Sequence, residues 1–475
     1  MILSRPEAID LFPAVCRVVL LRLLVLCAAA GMVILNHVLV VVKSGIPNAS
    51  FRKEVTIVKY IVILGDGMAD YPILELDGRT PLEEAHTPCI DSLAEWGVLG
   101  LVKTIPDDLP AGSDVANLSV LGYDPHLFYS GRSPFEAASM GIDLQDEDIV
   151  FRVNLITLTE EKNYRDKTIL DHSAGEISTE EGKALIELIN QELGRDGFTF
   201  YPGLSYRHLL VWNGGPDTWD LTPPHDILGR VIGDFLPKGE YSEVFLDIMQ
   251  RSGGLLQNHP LNRRREDQGL YPANSIWIWG EGKKPSLQSF PEKYGVRGSV
   301  ISEVDLIKGL GICAGLESIN VPGATGDFHT NYRGLATAAL QCLQQENDFV
   351  FVHIEAPDEC SHRNELSKKV RSIELIDREV VEVIVNALNQ EKKVYSILFL
   401  PDHATPLSVR THTRDAVPFL IFRSHEKRNF VGRGYSEKSA LETDLMIPDG
   451  HRLMDYFLEK VPFSTIPVSV PTHVD

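Results

Sequence analysis

The chain has 475 residues, 44% of them hydrophobic and 23% charged, with a formal net charge of -21. That length accommodates two or three domains and a large core, and the acidic balance excludes the basic field of a nucleic-acid binder. An anionic substrate is not excluded, because metal ions and a few arginines make a local positive site.

In chain order, the first feature is LLVLCAAAGMVILNHVLVVV at 23–42, about the length that spans a bilayer. Two readings stand. Residues 1–57 are a hydrophobic extension acting as a signal anchor, or the start is over-extended and globular sequence begins at Val58, a valine that an alternative start codon would supply. The expectation is a cytoplasmic protein, with anchoring through 23–42 as the alternative. The six cysteines, Cys16, Cys27, Cys89, Cys313, Cys342 and Cys360, contain no CxxC pair. This argues against a zinc knuckle or dithiol motif and suits a reducing compartment.

Three apolar runs share one pattern: VKYIVILGDG at 58–67, FVFVHIEAPD at 349–358 and VYSILFLPDH at 394–403. Each reads as a strand buried on both faces of a parallel sheet, and each is expected to end on an aspartate: Asp66, Asp358 and Asp402. A fourth strand is expected at 417–422. Between the first two runs, Thr87-Pro88 opens a helix that Gly97 stops. AGSDVANLSVLGYDP at 111–125 opens another, with Ser113 as either a plain N-cap or a nucleophile on a helix N-terminus. A long amphipathic helix is expected from about Glu365 to Asn389.

The stretch between is different in character. Strands at 150–158 and 207–214 and a helix at 179–193, separated by Gly/Pro-rich turns, suggest an α+β domain inserted into an α/β core. The expected organisation is a core of 58–126 and 285–465, an insert of 127–284 that binds substrate and acts as a lid, and a tail of 466–475.

The chemistry-bearing residues gather at the strand ends, where open α/β sheets bind ligands. Asp358 and His362 are four apart, on one helical face. His403 follows Asp402 directly, and His412 lies nine residues on. Carboxylates with neutral imidazoles suit Mn²⁺, Zn²⁺ or similar ions. Six such ligands are too many for one open ion and about right for two, an arrangement that clamps a phosphoryl group. Taken singly, an aspartate after a strand is a turn residue and Gly-Ser-Asp is a cap; the constellation is what points to phosphoryl transfer.

GDGMAD (65–70), PAGSDVANLSVLGYDP (110–125), FRVNL (151–155), PANSIWIWGEG (272–282), ATGDFHTNYRG (324–334), EAPDECSHRNE (355–365) and LPDHATP (400–406) resemble, in order, the archaeal-type cofactor-independent phosphoglycerate mutases of the alkaline phosphatase superfamily. The resemblance runs from about Val58 to Phe463. It implies an alkaline-phosphatase-like core with a mostly parallel sheet, and interconversion of 3- and 2-phosphoglycerate in glycolysis and gluconeogenesis without 2,3-bisphosphoglycerate. It implies a phosphoserine at Ser113 and two divalent ions (Mn²⁺ or Mg²⁺, with Zn²⁺ or Co²⁺ as alternatives). Asp66, Ser113, Asp402 and His403 would hold one ion; Asp358, His362 and His412 would hold the other. On the insert, Arg152, Arg207 and Arg265 are candidates for the substrate's anionic groups, and Asn154 and Asn262 for its hydroxyls. Two stretches depart from the pattern, with His172 in place of an expected tyrosine and Phe328-His329 inside a familiar loop. A different metal-dependent phosphoryl-transfer enzyme, a phosphatase or a homoserine-kinase-like relative, is the alternative. A membrane-anchored binding protein with a vestigial site is the more distant one. No Walker-type stretch supports ATP use.

Overall fold

The computed structural model describes residues 57–465 apart from 196, 217–218, 346 and 427–431. The hydrophobic run at 23–42 lies outside the described residues. Among those described, no helix is long and apolar enough to cross a membrane.

Eight strands form the larger sheet: β1 (Val58–Gly65), β2 (Val98–Val102), β8 (Gly298–Ile301), β9 (Glu317–Ile319), β10 (Phe349–Ile354), β11 (Val394–Leu400), β12 (Val417–Arg423) and β13 (Met446–Ile447). Their order is β13-β2-β12-β11-β1-β10-β8-β9. The run β11-β1-β10-β8-β9 is wholly parallel, and β12 is antiparallel to both of its neighbours. This is the mixed α/β fold with a mostly parallel sheet that the apolar runs imply.

The apolar runs are continuous because both faces are covered. On β1, Ile61 and Ile63 pack into one core and Val62 and Leu64 into the other. On β11, Tyr395, Ile397 and Phe399 face the first core and Leu398 and Leu400 the second. The first core is closed by helices Pro88–Trp96 and Tyr332–Gln344 and by the long helix beginning at Leu366. That helix runs from Leu366 to Gln390 with a π-helical stretch at Ile376–Val381. The stretch presents buried Asp377, whose carboxylate accepts the Ile90 N–H at 2.7 Å. It thereby caps a helix whose own Thr87 makes no side-chain cap.

A second, five-stranded antiparallel sheet is built from β3 (Asp148–Leu158), β4 (Ile169–Asp171), β5 (Phe198–Tyr201), β6 (Arg207–Asn213) and β7 (Ser275–Lys283). Helices Thr179–Leu193 and Ser242–Leu256 share a separate core with it. All of its strands lie between β2 and β8 in the chain.

One buried ion pair ties the loops at the carboxyl end of the large sheet. Lys369 has no exposed surface, and its Nζ lies 2.7 Å from Asp70 Oδ2 and 3.0 Å from the Thr405 carbonyl. The loop after β1 is thus pinned to the loop after β11, which also meet where the Thr405 N–H donates to the Ala69 carbonyl at 3.2 Å. Removing one member of such a pair leaves a buried charge uncompensated. Lys369→Met is therefore expected to lower unfolding stability by about 3–5 kcal/mol, read by denaturant titration; a change under about 1 kcal/mol would contradict this role.

Candidate active site

The parallel register brings the candidate ligand residues together. Gly65 pairs with Ile354 and Leu64 with Leu400, so the chain leaves three adjacent strands at one level. Asp66 follows β1 directly and Asp402 lies two residues past β11. Asp358 corrects the expectation of a strand-terminal aspartate: β10 ends at Ile354, and Asp358 sits in the first turn of helix Ala356–His362. The same helix carries His362 one turn on, with Nε2 3.0 Å from Asp358 Oδ2.

Ser113 is the first residue of helix Ser113–Val120, and Gly112 is the N-cap. The capping reading of Ser113 is thereby overturned: its Oγ caps nothing and lies 3.1 Å from His403 Nε2. Four residues along the helix, Asn117 Nδ2 donates to the Ser113 carbonyl at 2.9 Å and to Asp402 Oδ2 at 2.8 Å. Asp402 Oδ1 accepts the His403 and Gly67 N–H groups. Gly67 is left-handed, with φ of 61°, and a side chain there would meet Asp358 Oδ1 at 2.5 Å. Only glycine fits the turn.

Among the described residues three groups of donor atoms result, in each of which the atoms lie within 4.8 Å of one another: Asp66 with Asp358 and His403, Asp358 with His362 and His412, and Asp66 with His353 and Glu355. The rings of His403 and His412 stack with centroids 4.0 Å apart. His362 Nδ1 donates to the Arg410 carbonyl at 2.9 Å. A carbonyl only accepts, so in the neutral ring the Nε2 lone pair points at Asp358 and His412, the tautomer a metal ligand needs. Asp66 Oδ1 is buried with no hydrogen-bond partner, an orphan that a cation would satisfy. The donor set therefore fits divalent ions.

The electrostatics follow from crowding. Burial, and then the nearby Asp402 charge, pushes the Asp66 pKa well above the usual carboxylate range. Burial also opposes ionisation of Asp358, yet hydrogen bonds from His362 and His412 hold its pKa well below that range. The Asp358 hydrogen bond raises His362 to about 9, while burial lowers His403 and takes His353 down to about 4.

A cleft of about 860 Å³ lies beside helix Ala356–His362, with Arg132, Arg207, Glu303, Glu355, Glu359 and Arg363 among its walls. Of the candidates on the insert, Arg207 lines this cleft. Arg152 lies next to it, with Nε 3.1 Å from Glu136 Oε2 and its guanidinium 4.5 Å from the Trp279 ring centroid. Asn154 is held between the His172 carbonyl and Trp279 Nε1, each at 2.9 Å. Asn262 and Arg265 are interior: Asn262 bonds the backbone of Leu256 and Ala273. Arg265 bonds Tyr271, Ala174 and Glu181. Both polar groups hold the insert together, so neither is free for a ligand.

Sequence reasoning missed Arg132, Asn117, Thr405 and His353. Thr405 Oγ1 donates to Asp358 Oδ1 at 2.5 Å. His353 Nε2 lies 2.9 Å from Asp66 Oδ2. Asn117 had a readable signal, one helical turn from Ser113; His353 was hidden inside an apolar strand.

The sheet and the carboxylate–imidazole cluster at its carboxyl end define an α/β protein with a mostly parallel sheet and donor groups that could hold metal ions at the strand ends. A family model for 2,3-bisphosphoglycerate-independent phosphoglycerate mutase matches residues 94–262. The chain is 50% identical over 402 residues to a probable 2,3-bisphosphoglycerate-independent phosphoglycerate mutase of Geobacter sulfurreducens, covering 85% of this chain and 100% of that one. It is 48% identical over 389 residues to the mutase of Methanosarcina barkeri, covering 82% and 96%. Among solved structures, the PH0037 protein of Pyrococcus horikoshii matches with a TM-score of 0.72 at 30% identity, covering 86% of this chain and 99% of that one. The cofactor-independent phosphoglycerate mutase of Thermoplasma acidophilum matches with a TM-score of 0.58 at 26% identity, covering 85% and 99%. The chain belongs to the 2,3-bisphosphoglycerate-independent phosphoglycerate mutases, a family of isomerases.

The raised His362 pKa sets a sign. In metal-free protein the stabilisation from the charged His362–Asp358 pair is fully present below the unfolded histidine pKa of about 6.5. It is lost as pH rises through the folded value of about 9. Melting temperatures of metal-free His362→Gln and parent are expected to differ most near pH 6 and to converge above pH 9. A gap that widens with pH would contradict the assignment.

Proposed function

We propose that this chain interconverts 3-phosphoglycerate and 2-phosphoglycerate through a phosphoserine at Ser113, with no 2,3-bisphosphoglycerate. The observation that carries the reading is Ser113 Oγ, free of capping and 3.1 Å from His403 Nε2, on the first turn of a helix whose N–H groups favour an incoming phosphate. Asp66, Asp402 and His403 with Ser113 would hold one divalent ion, Mn²⁺ or Mg²⁺ in the first instance. Asp358, His362 and His412 would hold the second. Such ions neutralise phosphoryl charge and activate the serine hydroxyl.

The chain's own groups do the rest. Ser113 Oγ gives up its proton and attacks phosphorus, the bond from phosphorus to the glycerate oxygen breaks, and the freed alkoxide takes up that proton. The glycerate reorients, its other hydroxyl attacks the phosphoserine, the bond from phosphorus to Ser113 Oγ breaks, and Ser113 takes up the proton that this hydroxyl releases. Asn117 fixes the first turn of the serine helix against Asp402. Arg207 and Arg132 on the cleft wall, with Arg152 beside them, are suited to pair with carboxylate and phosphate through their planar forks. The insert, 127–284, is the lid that keeps water from the phosphoserine. The relatives' names and the cleft, whose wall joins insert arginines to the metal-ligand helix, support this reading.

The test uses the full chain with Mn²⁺ and 3-phosphoglycerate free of 2,3-bisphosphoglycerate. Formation of 2-phosphoglycerate is expected in the parent, falling by about 10³-fold or more in Ser113→Ala and abolished by chelation. Release of inorganic phosphate in its place would contradict the mutase reading.

A further inference from the structure

Asp66 is the only one of the three cluster aspartates braced from behind by a histidine within the sheet. His353 lies in β10 with no exposed surface, opposite Leu64 of β1 in the register. Its Nε2 is 2.9 Å from Asp66 Oδ2, and its Nδ1 is 3.2 Å from Ser302 Oγ. Ser302 stands just past β8, and its Oγ already accepts the Val304 N–H at 3.0 Å. The ionised Asp66 carboxylate that a metal ligand requires only accepts, so the ring proton lies on Nε2, facing Asp66, and Nδ1 accepts the Ser302 hydroxyl.

A polar ring in the middle of a parallel sheet is costly unless both nitrogens are satisfied, and here both are. Glu355 Oε2, at 3.8 Å from Nε2, is beyond hydrogen-bond reach, so the donor goes to Asp66. The consequence falls on the other carboxylate oxygen. Asp66 Oδ1 makes no hydrogen bond and lies 3.5 Å from His403 Nε2, on the side of the Ser113–His403 pair. The structure assigns His353 as a positioning residue, which with Ser302 holds Asp66 Oδ2 so that Oδ1 alone is presented to the ion beside Ser113. This rests on the metal reading given above. It competes with one specific geometry: Asp66, His353 and Glu355 also bring donor atoms within 4.8 Å of one another, which would make His353 itself a ligand.

Isothermal titration of the metal-free full chain with Mn²⁺ separates these. The parent is expected to bind two ions. His353→Phe keeps a ring but loses the donor, and should weaken one site by about 10–100-fold while leaving the other unchanged. His353→Gln carries an amide N–H near the Nε2 position and should recover most of that loss. Ser302→Ala should weaken the same site by a smaller factor, and it keeps the test alive if the phenylalanine variant does not fold. Two unaltered sites in all three variants, with only the metal-free melting temperature lowered, would overturn the assignment in favour of plain packing. Three ions in the parent, falling to two in both His353 variants, would overturn it in favour of a ligand. A parent that binds no Mn²⁺ would sink the metal reading itself and this inference with it.

Discussion

Three carboxylates, of Asp66, Asp358 and Asp402, are withdrawn from water at one end of a single sheet, each no more than 3% exposed. Like charges in a dry site cannot all ionise without compensation. The protein meets this constraint in part with imidazoles and with hydrogen bonds. Asp402 takes two backbone N–H groups and the Asn117 amide. Asp358 takes Thr405 and faces two histidines. Asp66 keeps one oxygen unpartnered, and burial first, then the neighbouring Asp402 charge, raises its pKa, so its charge is the one left uncompensated. Divalent ions would compensate it.

Much of the fold serves to hold this crowding in place. Adjacent parallel strands deliver the chain to one level, and apolar cores on both sheet faces fix the register. The buried Lys369–Asp70 pair joins the loops that follow β1 and β11. The serine helix is docked by Asn117 onto Asp402, which ties the positions of Ser113 and Asp402 together. The placement of these side chains is therefore set by the core rather than by exposed loops.

The gathering of Asp66, Asp358, His362, Asp402, His403 and His412 was legible as a constellation, because three β-rich runs each lead to an aspartate and two of these have a histidine close by in sequence, although each aspartate singly reads as a turn residue. The helix at 88–96 was legible from Pro88 in its first turn and Gly97 at its end, and the helix expected at 179–193 is found with those bounds. What was hidden was direction. Asn262 and Arg265 look like substrate ligands in a one-dimensional chain because their polarity is visible and their backbone partners are not. Lys369 sits among SKKVR and reads as a solvated helix face, although it is fully buried. His353 reads as one polar interruption of an apolar strand; its partners, Asp66 and Ser302, lie 287 and 51 residues away. The π-helical stretch at Ile376–Val381 has no periodic signature, and the bond made from it, Asp377 accepting the Ile90 N–H, is a long-range contact.

The central claim is that phosphate passes through Ser113. Rapid acid quench of the Mn²⁺-loaded chain during turnover with 3-phosphoglycerate, followed by mass spectrometry of its peptides, tests this directly. The account predicts a phosphate on the peptide bearing Ser113 at that residue, appearing on the timescale of a single turnover. Turnover to 2-phosphoglycerate with Ser113 unmodified at every quench time, or with the phosphate on another residue, would contradict it.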